Sequence, residues 1–140
     1  MDNYRQLTDR EIDILEANNC WAEDWTDVMV AEDFRPNYMH RVMLYGTIRL
    51  GAFEKNVEVS KGFVKHSGIN DATLRNVTIG DNCLIENIGN YINNYTIGNG
   101  CYISNVSTME TTEGATFGQG NLISVLNEVG DGNVVLFRDL

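Results

Sequence analysis

The sequence predicts a mainly β protein: a coil of short parallel strands stacked on one another, entered through one short α-helix. Three observations carry this expectation. Three eight-residue stretches align without gaps, at 78–85, 96–103 and 116–123. A six-residue beat of apolar side chains, shadowed by a beat of asparagines, runs through them. A complete helix start stands ahead of them at Thr8.

The helix comes first in the chain. Thr8 and Glu11 form a Thr-x-x-Glu capping box, and Leu7 and Ile12 have the spacing of a hydrophobic staple. Asp9 and Glu11 put negative charge where the helix dipole favours it. Ile12, Leu15 and Ile14 make a narrow apolar stripe, and Asn18-Asn19 ends the helix. So short a helix does not persist alone, so Cys20, Trp21 and Trp25 are its expected docking surface. From Val28 the period changes to two: Val28 and Val30, Val42 and Leu44, Ile48 and Leu50 alternate as strands do. Pro36, the only proline, makes a turn between them.

The repeat decides the architecture. Thr78-Ile-Gly-Asp-Asn-Cys-Leu-Ile85, Thr96-Ile-Gly-Asn-Gly-Cys-Tyr-Ile103 and Thr116-Phe-Gly-Gln-Gly-Asn-Leu-Ile123 are its clear copies. Glu128–Val135 is a weaker copy, and Glu58–Val64 a degenerate one. Stepping by six from Ile79 meets Ile85, Tyr91, Ile97, Ile103 and Met109. After a slip of two residues the beat resumes at Phe117, Ile123, Val129 and Val135. Asparagine keeps time at 70, 76 and 82, then 87, 93, 99 and 105, then 121, 127 and 133. Apolar hexad residues should point inward and stack, while Gly and Asn, which tolerate positive φ, should turn the corners. Slips before Thr78 and Thr116 should appear as corner bulges.

Ile79-Gly80-Asp81-Asn82-Cys83-Leu84 and Ile97-Gly98-Asn99-Gly100-Cys101-Tyr102 resemble the hexapeptide-repeat proteins. The resemblance covers roughly residues 57–137 and implies a left-handed parallel β-helix of triangular cross-section. It also implies self-association, as a trimer along the coil flanks. The whole chain, acidic helix and Trp-rich entry included, resembles the N-terminal part of DUF4954, a Bacteroidetes family of unknown function with much longer members. Two parts are expected: residues 1–33 as an acidic helix and Trp-rich cap, and 34–140 as coils, with the hexad grid clear from about 57.

Composition bounds the function. The chain has 140 residues, 43% hydrophobic and 21% charged, enough apolar material for one folded domain. No apolar run approaches the ~18 residues of a membrane span. The start lacks a secretory signal, and three cysteines without a CxxC pair fit reduced thiols. A cytoplasmic location is therefore expected. Net charge is −10, and residues 1–33 carry ten acids against two bases. That surface repels polyphosphate, so neither nucleic acid nor an anionic membrane is an expected partner.

Catalytic signals are few. The hexapeptide-repeat proteins are mostly acyltransferases whose base is typically a flank histidine facing a neighbouring subunit. His66, in Lys65-His66-Ser67-Gly68, is the candidate base here, expected on an exposed loop. His40 precedes the repeat. Cys83 and Cys101 occupy equivalent hexad positions and should stack as small buried side chains, with no acid or histidine at metal-ligand spacing beside them. No metal and no cofactor is expected. The first reading is a structural, oligomerising module forming the N-terminal part of a longer, transferase-related protein. Two alternatives stand beside it: an acyl- or acetyltransferase acting on a sugar or sugar nucleotide, using His66 and acetyl-coenzyme A, and a non-catalytic small-molecule binding module. The apolar ending Val134–Leu140 should be covered by another copy or by further chain.

Overall fold

A computed structural model describes residues 3–117 and 134–137. The chain enters through β1 (Tyr4–Gln6) and the helix α1 (Asp9–Ala17). The capping box forms as read: Thr8 Oγ1 accepts from Glu11 N at 3.1 Å, and Glu11 Oε1 accepts from Thr8 N at 3.0 Å. Arg5 of β1 grips the same carboxylate through two guanidinium nitrogens, at 2.9 and 2.8 Å. The Arg5 hydrogen bond holds the Glu11 carboxyl below its ordinary range. One residue therefore starts the helix and ties it to the neighbouring strand. Leu15 is the side chain the helix buries completely.

Next come β2 (Trp21–Ala22), β3 (Val28–Ala31) and the long β4 (Met39–Leu50). The proline is at the start of a single 3-10 turn, Pro36–Tyr38. Residues 56–66 then fold back as a hairpin of β5 (Asn56–Ser60) and β6 (Phe63–His66), a separate antiparallel sheet. This corrects the reading of Glu58–Val64 as a repeat copy: the segment makes no ladder with the coils. The main sheet continues through β7 (Gly68–Ile79), β8 (Leu84–Glu86), β9 (Tyr91–Ile97), β10 (Cys101–Ser104) and β11 (Thr108–Phe117). Parallel pairing links β3–β4, β4–β7, β7–β8, β8–β10, β7–β9 and β9–β11. Antiparallel pairs sit at the margins: β1 on β3, and β12 (Val134–Phe137) on β10. Among the described residues the fold is mainly β with one α-helix and mixed pairing. The other repeat positions from 118 to 133 lie outside the described residues.

The registers align the inward side chains in three columns. Met39, Ile69, Ile85 and Ile103 form one, and Leu44, Leu74, Ile92 and Met109 a second. Leu50, Ile79 and Ile97 form the third. All are buried, and each contributes about 1.5–3 kcal/mol by leaving water. The interval from Leu44 to Leu74 is 30 residues and from Leu74 to Ile92 is 18. The extra twelve residues are the hairpin and its joint, inserted between β4 and β7.

Corners stack as well. Arg41, Asp71, Asn87 and Asn105 have φ between 56° and 59° and follow one another at one corner. Gly46, Asn76 and Asn94 make a second such column, and Asn82 and Gly100 a third. Arg41 Nη2 donates to Asp71 Oδ2 at 3.0 Å, bracing two left-handed residues that are neither Asn nor Gly. Asparagine side chains serve the next level: Asn76 Oδ1 accepts from Thr47 N at 3.0 Å, and Asn82 Oδ1 from Glu54 N at 2.9 Å. Register shifts occur between Tyr45 and Ile48 on β4, opposite Arg75 and Val77, and between Glu110 and Ala115 on β11. The second lies where a slip is read before Thr116, with three extra residues rather than two. The slip read before Thr78 does not appear on β7, whose pairing with β9 carries no shift, and the extra residue lies on β4 instead.

Candidate functional site

His66 ends β6, at the foot of the hairpin rather than on an open loop. Its ring stacks on Tyr38, with centroids 3.7 Å apart and planes at 13°. Nδ1 lies 2.8 Å from the Ser67 carbonyl. A carbonyl only accepts, so Nδ1 carries the hydrogen and Nε2 keeps the lone pair. Lys65 beside it reaches both oxygens of Glu86, at 3.2 and 3.1 Å, fastening the hairpin to a carboxylate that is otherwise buried. Phe63 and Val64 are each 55% exposed on the same strand. His40 stands apart, its Nδ1 3.1 Å from Asn70 Oδ1.

Cys83 and Cys101 are brought together as expected, and both are buried free thiols. The Cys83 thiol is pushed well up by the Cys101 sulfur beside it and by complete burial, so it is not a thiolate nucleophile at neutral pH. Its Sγ donates to the Gly98 carbonyl at 3.1 Å. Among the described residues no group of three or more His, Cys, Asp or Glu is placed to hold a metal ion.

A groove of about 590 Å³ opens elsewhere, on the outer face of the ladder. Strand alternation builds it: Leu44, Leu74 and Ile92 point inward, so their neighbours point out. Tyr45, Arg75, Asn93 and Glu110 are in register on β4, β7, β9 and β11, with Glu23 beside Tyr45 at the end of the row. Trp21, Met43, Thr73 and Tyr91 form the adjoining row. Trp21 packs edge-on to Tyr45, with centroids 5.4 Å apart, and is 44% exposed.

The polar chemistry of the groove is partly closed and partly open. Tyr91 Oη donates to Glu110 Oε1 at 2.9 Å, and Asn93 Nδ2 donates to Oε2 at 3.4 Å. With its amide thus directed, Asn93 leaves Oδ1 buried and without a partner among the described residues. The Arg75 guanidinium has no hydrogen bond or ion pair among the described residues.

The sequence reading missed this groove because it placed Tyr91 inward and Asn93 on the corner beat. The circuit from Ile85 takes seven residues, so Ile92 fills the inward slot and Asn94, with φ 64°, turns the corner. That shift of one residue delivers both Tyr91 and Asn93 to the outer face. The signal was present: an aromatic on an aliphatic beat, with an isoleucine directly after it.

The profile of DUF4954, a domain of unknown function, matches residues 4–140. The chain belongs to the DUF4954 family. An uncharacterised protein of Treponema pallidum (strain Nichols) is 30% identical over 145 residues, covering 96% of this DUF4954 chain and 20% of that protein. The chain thus spans about a fifth of that relative's length. No solved structure matches it. No described helix is long and apolar enough to cross a membrane.

Proposed function

We propose that this DUF4954 chain is a structural and oligomerising module, a left-handed parallel β-helix of the hexapeptide-repeat kind. Three inward columns and three corner columns support a triangular coil, and the resemblance of the hexads supplies the left hand. The carrying observation is the in-register stack Leu44–Leu74–Ile92–Met109, which gives the chain a rigid flank and pairs most of its backbone level by level. The length of the treponemal relative supports a place within a longer protein, with residues 1–33 as the cap and 34–140 as the coils.

One observation favours a second reading, acyl transfer from acetyl-coenzyme A. His66 is oriented by the Ser67 carbonyl so that Nε2 is its basic nitrogen, the arrangement a general base requires. Release of free coenzyme A from acetyl-coenzyme A, measured with simple sugars and sugar nucleotides as acceptors, tests both. The scaffold reading expects no release above the protein-free rate. Turnover overturns it, and loss of that turnover in His66→Ala would move the chemistry to the hairpin.

A further inference from the structure

We propose that the groove on the ladder face binds a neutral saccharide chain, laid along the row from Glu23 to Glu110. The inference goes beyond the scaffold reading and shares no residue with the hairpin or His66. Its starting point is what the groove lacks. Asn93 Oδ1 is buried with no donor among the described residues, an arrangement that costs free energy unless a ligand or water supplies one. Arg75, one strand spacing from Tyr45 on one side and from Asn93 on the other, presents five N–H donors with no acceptor among the described residues. Among the described residues Glu23 receives only a 3.4 Å bond from Gly46 N. A ligand that completes the site must therefore donate and accept at alternating points along one line.

Charge decides among the ligands that could do so. An anion would meet Arg75 but would lie between Glu23 and Glu110, on a chain of net charge −10. A cation would be opposed by Arg75 in the middle of the row. A purely apolar ligand would leave Asn93 Oδ1 and the guanidinium unsatisfied. Hydroxyl groups donate and accept at once and carry no charge, so a row of them satisfies the carboxylate, fork and amide alike. The second row, together with Tyr45 of the first, supplies the other half of the chemistry. Trp21, Tyr45 and Tyr91 offer aromatic surface with polar edges, suited to the C–H face of a pyranose ring. The five levels from Glu23 to Glu110 span ~19 Å at the ordinary strand spacing of ~4.8 Å, long enough for several sugar rings rather than one.

Calorimetry and amide chemical-shift mapping of the purified chain with chitohexaose, cellohexaose and maltohexaose provide the test, with hexagalacturonate as the anionic comparison. The expected result is saturable binding of at least one neutral oligomer, with shifts confined to residues 21–23, β4, β7, β9 and β11. Arg75→Ala and Glu23→Ala should each weaken that binding by about tenfold or more, as loss of a charge-assisted hydrogen bond does. Both positions are exposed, and the exposed hairpin variant Lys61→Ala should leave the affinity unchanged. Binding of none of the neutral oligomers would overturn the proposal. So would tighter binding of hexagalacturonate, or an unchanged affinity in Arg75→Ala. A ligand-free sedimentation coefficient that drops in Arg75→Ala would overturn it too, by making the face a contact between copies of the chain.

Discussion

Replacing Gly80 with alanine should remove ~3 kcal/mol or more of folding stability, the upper end of what overpacking a close-packed site costs. Gly80 follows β7, where its N donates to the Ile97 carbonyl at 2.8 Å. An added Cβ would stand 2.8 Å from Asn99 N and 2.9 Å from Gly98 C, and closer still to Asn99 Oδ1. Two of those atoms are backbone, so moving the Asn99 amide aside does not relieve the clash. Gly51 packs on Gly80 in the same way, where a Cβ would lie 2.6 Å from Gly80 C. The glycines therefore let successive levels approach at this corner. Gly62 provides the comparison: it has φ 76° and nothing within 4 Å of its missing Cβ. Gly62→Ala should cost only the ~1–2 kcal/mol of a left-handed alanine. Urea unfolding of the two variants measures the difference. Equal losses would mean that Gly80 does not meet its neighbour's backbone.

Leu74→Ala should cost ~2–5 kcal/mol, the range for deleting a fully buried leucine and leaving a cavity. Leu74 is completely buried between Leu44 and Ile92. Neighbours above and below are fixed by backbone pairing, which limits collapse into the space and favours the upper part of that range. Arg75→Ala, one residue along, points the other way and should change stability by no more than ~0.5 kcal/mol. Adjacent substitutions with such different costs report the alternation of β7 directly, by denaturant midpoint at constant slope. Similar costs at both positions would contradict the inward assignment of Leu74.

Local chemistry was legible in the sequence wherever it is short-range. The Thr8–Glu11 box, the turn at Pro36 and the alternation of Val42 with Leu44 depend on residues a few positions apart, and each forms as read. The hexad beat located Ile79, Ile85, Ile97, Ile103 and Met109 in the core because the inward residues fall six apart, or seven and then five between Ile85 and Ile97. It failed where one corner takes an extra residue, which moved Tyr91 and Asn93 outward. The hairpin was illegible for a related reason. Val57, Val59 and Val64 satisfy an apolar beat as well as an antiparallel pair does, and only long-range pairing decides between them. The groove is a property of register between strands 17 to 30 residues apart, which no local pattern encodes. Side-chain details of the beat at Phe117 and beyond lie outside the described residues.

The register of the ladder is the claim on which the core, the corners and the groove all rest. Cross-strand nuclear Overhauser effects between backbone protons of the labelled chain test it most directly. The account predicts parallel contacts joining Leu44 to Leu74 and Leu74 to Ile92, at separations of 30 and 18 residues. Contacts showing β7 and β9 as an antiparallel pair, or joining Leu74 to Tyr91 in the inward column, would contradict it.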